Sequence, residues 1–179
     1  MTSYITITDA ETDPSAPLTS ELAKKWRDNT VAIAEKDTSV PTGLRLGYWP
    51  LGTINTTSGS SQTLSGLVLT NYTALFLEVR RVIPNSSLTN YSIRLNSTTG
   101  PQISNNYDGT GAWYGTALIM LGEGIFSSSI AAAGQTAPVS GGAGTFGGDC
   151  NITNASTSIT VALSNNSFTS GSVLVYGVR

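Results

Sequence analysis

The most informative absence in this 179-residue chain is histidine, which does not occur at all. A Ser-His-Asp triad, a Cys-His pair, a His-containing zinc site and histidine-based acid–base catalysis are therefore excluded. Cysteine occurs once, at Cys150, so no intrachain disulfide can form, and no metal-ligand partner stands at a recognisable spacing from it. We expect a small buried or half-buried thiol there, and a protein that holds neither a metal nor a cofactor.

Charged residues are also scarce, at 11% of the chain against roughly 25% in an average soluble protein. Such a surface must be covered by hydroxyl and amide side chains or by other subunits, which favours a particle or an assembly. The net charge is -2 and no Lys/Arg-rich run occurs, so we expect no nucleic-acid partner. No apolar run approaches bilayer length and residues 1–13 lack a signal-peptide core, so we expect cytoplasmic synthesis and no membrane partner.

The few charges are concentrated at the N-terminal end of the chain. Residues 1–37 hold seven carboxylates and four basic residues, whereas the rest holds four carboxylates, five arginines and no lysine. This change in composition predicts two parts. Residues 1–40 form an N-terminal arm with a helix, and residues 41–179 form a β-rich domain.

Within the N-terminal part, an extended run at residues 4–7 precedes a connector at residues 9–17. The connector has two prolines, which disfavour helix just before each of them, so we expect it to be ordered or extended. Thr19 then fits an N-cap, with Glu21 in the first turn of a helix.

One narrow apolar stripe marks this helix. Asn29 interrupts the stripe, whose members recur at helical spacing: Leu18, Leu22, Trp26 and Ile33. Because an isolated helix of this length is marginal in water, the stripe must dock on the following domain or on copies of itself.

The remainder of the chain predicts an antiparallel β architecture. Runs rich in Val, Ile, Leu, Thr and aromatics alternate with Asn/Ser/Gly turns, and the predicted strands are residues 66–69, 72–83, 91–96, 112–121, 156–163 and 172–178. Residues 38–66 read as loops with short extended pieces, and residues 122–149 as a long Ala/Gly/Ser-rich excursion at one end of a sandwich. The last strand is apolar on both faces, which predicts burial inside a two-sheet core or at a subunit interface.

Carboxylates are the remaining candidates for catalysis in the β-rich part, and only four are present: Glu78, Asp108, Glu123 and Asp149. A glycosidase needs two of them facing each other across a sugar, and no spacing in the sequence pairs them. Glu78 stands beside Arg80 and Arg81, which favours an ion pair over catalysis. We therefore expect no enzyme.

Residues 105–111, NNYDGTG, could offer oxygen ligands to calcium but do not match the EF-hand pattern, so a glycine-rich turn is the favoured interpretation. Aromatic residues beside this loop suggest a sugar-binding surface, although aromatics at strand ends more often belong to a core. The candidate glycan contacts are Tyr107, Asp108, Trp113 and Tyr114.

Three pieces of the N-terminal part resemble a segment at the start of tailed-bacteriophage virion proteins. These are the ITDAE run at residues 7–11, the D-x-x-x-P-L-T turn at residues 13–19, and the RDN-x-x-AI-x-E ending at residues 27–35. The family pattern has Pro after RDN, where this chain has Thr30. The final GSVLVYGVR is similar to the ending of many phage decoration and fibre modules with jelly-roll-like β-sandwiches.

The resemblance implies a mainly β, antiparallel, jelly-roll-like β-sandwich with an N-terminal extended arm and one short α-helix, assembled as a homotrimer on the virion surface. One implied function is a capsid decoration or cement protein that clamps the major capsid protein. The alternative is a short tail fibre or tip protein that binds a host-surface glycan through loops near residues 105–113 and 122–149. Both imply that the N-terminal part binds another virion protein, and the residues expected to anchor it are Tyr4, Ile5, Ile7, Leu18, Leu22, Trp26 and Ile33.

Overall fold

The computed structural model describes residues 3–13, 15, 19–37, 39–41, 47–85, 92–104, 111–133 and 144–179. They form two compact units, Met1–Trp49 and Pro50–Arg179. The composition placed the division after residue 40, whereas the compact units divide at residue 49.

Among its described residues, the first unit contains two helices. Helix α1 is the single turn Asp9–Thr12, in the segment that was expected to be an ordered or extended connector. The N–H and the hydroxyl of Thr8 both donate to Oε2 of Glu11, at 3.0 Å each, which is one half of a capping box. Because Pro14 and Pro17 follow the turn, they do not interrupt it.

Helix α2 spans Ser20–Ala34, and its predicted N-cap is confirmed. Thr19 Oγ1 accepts a hydrogen bond of 3.1 Å from the N–H of Leu22. At the other end, Lys36 adopts a left-handed conformation with φ of 56°, and its N–H reaches the carbonyl of Ile33. The helix therefore has a defined start and a defined end.

In the part of the chain that the structure describes, nine strands form two antiparallel sheets, which confirms the prediction of a mainly β, antiparallel two-sheet fold. The six-stranded sheet has the order β1-β9-β3-β5-β6-β7, and the three-stranded sheet has the order β2-β8-β4. The strands are β1 (Tyr48–Asn55), β2 (Ser61–Ser65), β3 (Ala74–Pro84), β4 (Ile93–Leu95), β5 (Ala112–Met120), β6 (Ile125–Ala133), β7 (Gly144–Asp149), β8 (Ser158–Leu163) and β9 (Phe168–Val178).

Alternation along the strands builds the core of the second unit. In β3, Leu75, Leu77 and Val79 are buried, whereas Phe76 and Glu78 between them are half-buried. Both sheets contribute one such apolar side, and the other buried strand residues include Ile93, Leu95, Ile119, Ile159, Val161, Leu163, Val173 and Val175. The inward sides of the two sheets thus supply the sandwich core.

Three parts of the chain differ from the prediction. Residues 122–149 were expected to be a loop, but they contain β6 and β7, and β6 pairs with β5 along its whole length. The polar stretch before residue 66 contains β2, whereas residues 66–69 are not a strand. The hydrogen bonds between paired strands join backbone groups. A Ser- or Gly-rich run therefore forms a strand where a neighbouring strand supplies the backbone hydrogen-bond partners.

Candidate functional site

Asn29 fastens the extended N-terminal segment to helix α2. Its Oδ1 accepts a hydrogen bond of 2.7 Å from the N–H of Ile5, and its Nδ2 donates one of 2.8 Å to the carbonyl of Ile5. The side chain is only 7% exposed, and a buried amide of this kind needs such partners. The polar residue that interrupts the apolar stripe therefore holds the arm, a role that the stripe pattern did not predict.

The turn that follows α2 provides a second attachment for the arm. The N–H of Tyr4 donates to Ser39 Oγ at 2.6 Å. Asp37 Oδ1 in turn accepts from the N–H and the hydroxyl of Ser39, at 2.8 Å and 2.5 Å. These bonds, with the hydroxyl as the larger cause, lower the pKa of Asp37. The turn is thereby ordered at the point where it meets the arm.

Glu11 provides a third attachment, from α1 to α2. Lys25 Nζ donates to Oε1 of Glu11, while Thr8 occupies Oε2. The bond from Lys25, followed by those from Thr8, lowers the pKa of Glu11 from 4.5 to about 2. The folded structure therefore favours the charged carboxylate, both of whose oxygens accept hydrogen bonds.

Three large apolar side chains remain on the surface around these attachments: Ile5 is 42% exposed, Trp26 48% and Ile33 36%. On a helix, residues three and four positions apart are surface neighbours, so Trp26 and Ile33 adjoin Asn29. Asn29 also holds the backbone of Ile5. We call Ile5, Trp26 and Ile33 the Trp26 patch.

The other predicted anchor residues are placed differently. Leu22 is 5% exposed and belongs to the buried side of α2 with Asn29 and Ala32, so it is not a surface contact. This corrects the prediction of a single apolar stripe, because the exposed Trp26 and Ile33 lie beside the buried side of α2 rather than within it. Tyr4 and Ile7 are half-buried, and Leu18 lies outside the described residues.

The candidate glycan contacts are not brought together. Trp113 is 1% exposed on the inward side of β5, so its ring cannot stack on a sugar, which corrects that assignment. Tyr114, the next residue, is 45% exposed and points outward. Tyr107 and Asp108 lie outside the described residues, as does most of the proposed calcium loop.

Glu78 and Cys150, two further reactive groups, have structural partners. Arg80 Nε and Nη2 donate to the two carboxylate oxygens of Glu78 at 2.8 Å and 2.9 Å, which confirms the predicted ion pair, and Arg80 is the main cause that lowers the pKa of Glu78. Cys150 is fully buried, its Sγ lies 3.2 Å from the carbonyl oxygen of Gly124, and burial raises its pKa. Among the described residues, no three acidic, cysteine or histidine side chains form a group that could hold a metal.

No family model matches this chain, and no curated protein or solved structure matches it either. In the part of the chain that the structure describes, neither helix combines the length and the apolar character needed to cross a bilayer.

Proposed function

We propose that this chain is a structural protein of a tailed-bacteriophage virion, a decoration or cement protein that binds the outside of the head as a homotrimer. The supporting observation is that two of the phage-like pieces hold the first unit together through residues beside them. Glu11 of the ITDAE run pairs with Lys25 of α2, and Asn29 of the RDN run bonds the backbone of Ile5. These contacts hold the arm and α1 against α2, beside the exposed Trp26 patch.

The patch is the surface that would bind the major capsid protein. Moving a large apolar side chain from water into a fully buried site contributes roughly 1.5–3 kcal/mol, and because Ile5, Trp26 and Ile33 are already more than half buried, each would contribute roughly half of that or less. Because the backbone of Ile5 is bonded to Asn29, and Trp26 and Ile33 lie on an ordered helix, little backbone entropy is lost when a partner covers them. Contacts that exist only in the assembled shell stabilise it by mass action against the pressure of the packaged DNA.

Replacement of Trp26 tests the anchoring role. Trp26→Asp places a charge in the centre of the patch, and we expect its copy number in purified particles to fall at least tenfold. Lys24→Asp introduces the same side chain on the opposite, exposed side of α2, and this variant should be incorporated normally. Circular dichroism of both purified variants checks that the β structure is intact. Normal incorporation of Trp26→Asp would refute the proposal.

Copy number separates the cement protein from the tail fibre. A cement protein covers the head in hundreds of copies, whereas a fibre or tip protein occurs in a few copies at the tail. Quantitative mass spectrometry of particles gives this number directly. Particles without the protein should also rupture at a lower temperature or under weaker osmotic shock, and unchanged rupture would contradict cementing.

A further inference from the structure

The β-bulge in β3 places two successive arginines, Arg80 and Arg81, on the outward side of the six-stranded sheet. The residues that flank this pair, Val79 and Val82, are buried, whereas both arginines are exposed. A bulge sets two residues against one on the neighbouring strand, and here that one residue is Tyr114 of β5. Tyr114 is 45% exposed, so an accessible aromatic ring lies on the same side of the sheet as the two arginines.

Arg81 has a backbone conformation that does not suit arginine. Its φ of 50° lies in the left-handed region, where glycine is the usual residue of such a bulge and asparagine is tolerated. Three other described residues besides glycine have a positive φ, but Lys36 ends helix α2, and Asn96 and Asn151 are asparagines outside the strands. Among the described strands, Arg81 is thus the one non-glycine residue with a positive φ, and it carries backbone strain.

No contact within the described part of the chain accounts for an arginine at this position. Among the described residues, the guanidinium of Arg81 takes part in no hydrogen bond and no ion pair. Its neighbour Arg80 differs, because Nε and Nη2 of Arg80 donate to the two carboxylate oxygens of Glu78. The charges of Arg80 and Glu78 therefore offset each other, and the charge of Arg81 does not have a counterion among these residues. Strained residues of this kind cluster at sites that bind ligands.

The surroundings of Arg81 indicate the chemical class of its ligand. A guanidinium whose N–H groups are all unused binds a carboxylate through two parallel hydrogen bonds. The exposed ring of Tyr114 offers a flat apolar surface on which a sugar ring stacks, with a hydroxyl at its edge. Strand pairing also places Glu78, Thr116 and Ser129 in one row on the same side, and their oxygens provide partners for sugar hydroxyls.

We propose that Arg81 and Tyr114 bind a saccharide that carries a carboxylate, such as a uronic or sialic acid unit. Arg81 pairs with the carboxylate, Tyr114 stacks on the ring, and the row that contains Glu78 bonds the hydroxyls. This site is independent of the proposed virion role, which uses the Trp26 patch of the first unit. Of the candidate glycan contacts named from the sequence, Tyr114 is retained, and Arg81 is a residue that the sequence did not indicate.

Binding of small acidic sugars to the full-length protein tests the proposal. By NMR, sialyllactose or tetragalacturonic acid should shift the Arg81 Nε–H and Tyr114 ring signals, with a Kd on the order of 1 mM. Maltotetraose, which lacks a carboxylate, and tetra-aspartate, which lacks a sugar ring, should bind at least tenfold more weakly. Arg81→Asn and Tyr114→Ala should each weaken sugar binding at least tenfold. Lys24→Asn removes a positive charge from the exposed side of α2 and should bind like the wild type.

The stability of Arg81→Asn provides a second, independent measurement. Because asparagine adopts a positive φ more readily than arginine, this variant should unfold about 1–3 °C above the wild type. Arg80→Asn is the matched control, since Arg80 does not have a positive φ and does bond Glu78, and it should not raise the unfolding temperature. A residue that served only the fold would show the opposite result, a loss of stability when Arg81 is replaced.

The proposal is overturned if neither acidic sugar binds at about 10 mM, if Arg81→Asn binds like the wild type, or if Arg81→Asn unfolds at a lower temperature than the wild type. Equal binding of tetra-aspartate would contradict a saccharide ligand, and equal binding of maltotetraose would contradict the role of Arg81. Trp26→Asp should bind the acidic sugars normally, so a failure of anchoring is distinguished from a failure of sugar binding.

Discussion

At the scale of single residues, Glu11 shows how a short acidic segment acquires a fixed position. Both of its carboxylate oxygens are used, one by Lys25 on α2 and the other by Thr8 at the start of α1. The charged form is therefore favoured in the folded state, and its pKa falls to about 2. Asn29 acts in the same region through an uncharged amide, so its attachment to Ile5 does not depend on pH.

The first prediction concerns the pH range in which Glu11 holds α1. Because the folded pKa lies below the ordinary value of 4.5, this contribution to stability is present above pH 4.5 and is lost as the pH falls toward 2. The carboxyl-carbon chemical shift of Glu11, followed by NMR, should titrate near pH 2. In Lys25→Met it should titrate at a clearly higher pH, since the largest cause of the shift is removed. An identical titration in both proteins would contradict the assignment.

At the scale of elements, the pairing of β3 with β9 depends on a close approach between Gly171 and the backbone of Arg81. The pairing of β3 with β5 and β9 shifts after Val79 and Arg80, and Arg81 within this β-bulge has a φ of 50°. On β9, Gly171 has a φ of 107°, and a Cβ placed there would lie 2.3 Å from the carbonyl oxygen of Arg81. A residue without a side chain is required for both reasons.

The second prediction follows from this contact. Gly171→Ala adds strain at a positive φ and forces the two strands apart, and we expect the free energy of unfolding to fall by about 2–4 kcal/mol. Gly122→Ala is the matched control, because a Cβ at that position meets nothing within 4 Å. Urea denaturation of both variants measures the difference. Equal stability of the two would show that the bulge tolerates a side chain.

At the scale of the whole molecule, charge is concentrated in the first part of the chain. Residues 1–37 carry most of the charge together with the Trp26 patch, whereas the sheet unit carries few charges. The Trp26 patch has charged neighbours such as Arg27 and Asp28. The exposed Leu118, Met120 and Ile125 lie on strands β5 and β6, which contain no charged residue.

Much of the fold could be predicted because its signals are local. Strands with clear alternation of Val, Ile and Leu, such as β3, β8 and β9, were expected within a few residues of their bounds. Helix α2 was expected from Thr19 and its apolar spacing. The strands that the sequence did not predict lack this alternation of apolar residues. Strand β7, for example, reads GTFGGD, and it is a strand because β6 supplies its hydrogen-bond partners.

For the functional surfaces, the sequence by itself determined which chemical groups are present. The chain has no histidine, one cysteine, few charges, an amphipathic helix and a last strand that is apolar on both sides. Only the tertiary structure decided which of these groups face water. Trp113 is buried while Trp26 is exposed, and Asn29 binds Ile5 across 24 residues of chain. The physical reason is that composition and periodicity are local properties, whereas burial and hydrogen-bond partners depend on which distant segments the fold brings together.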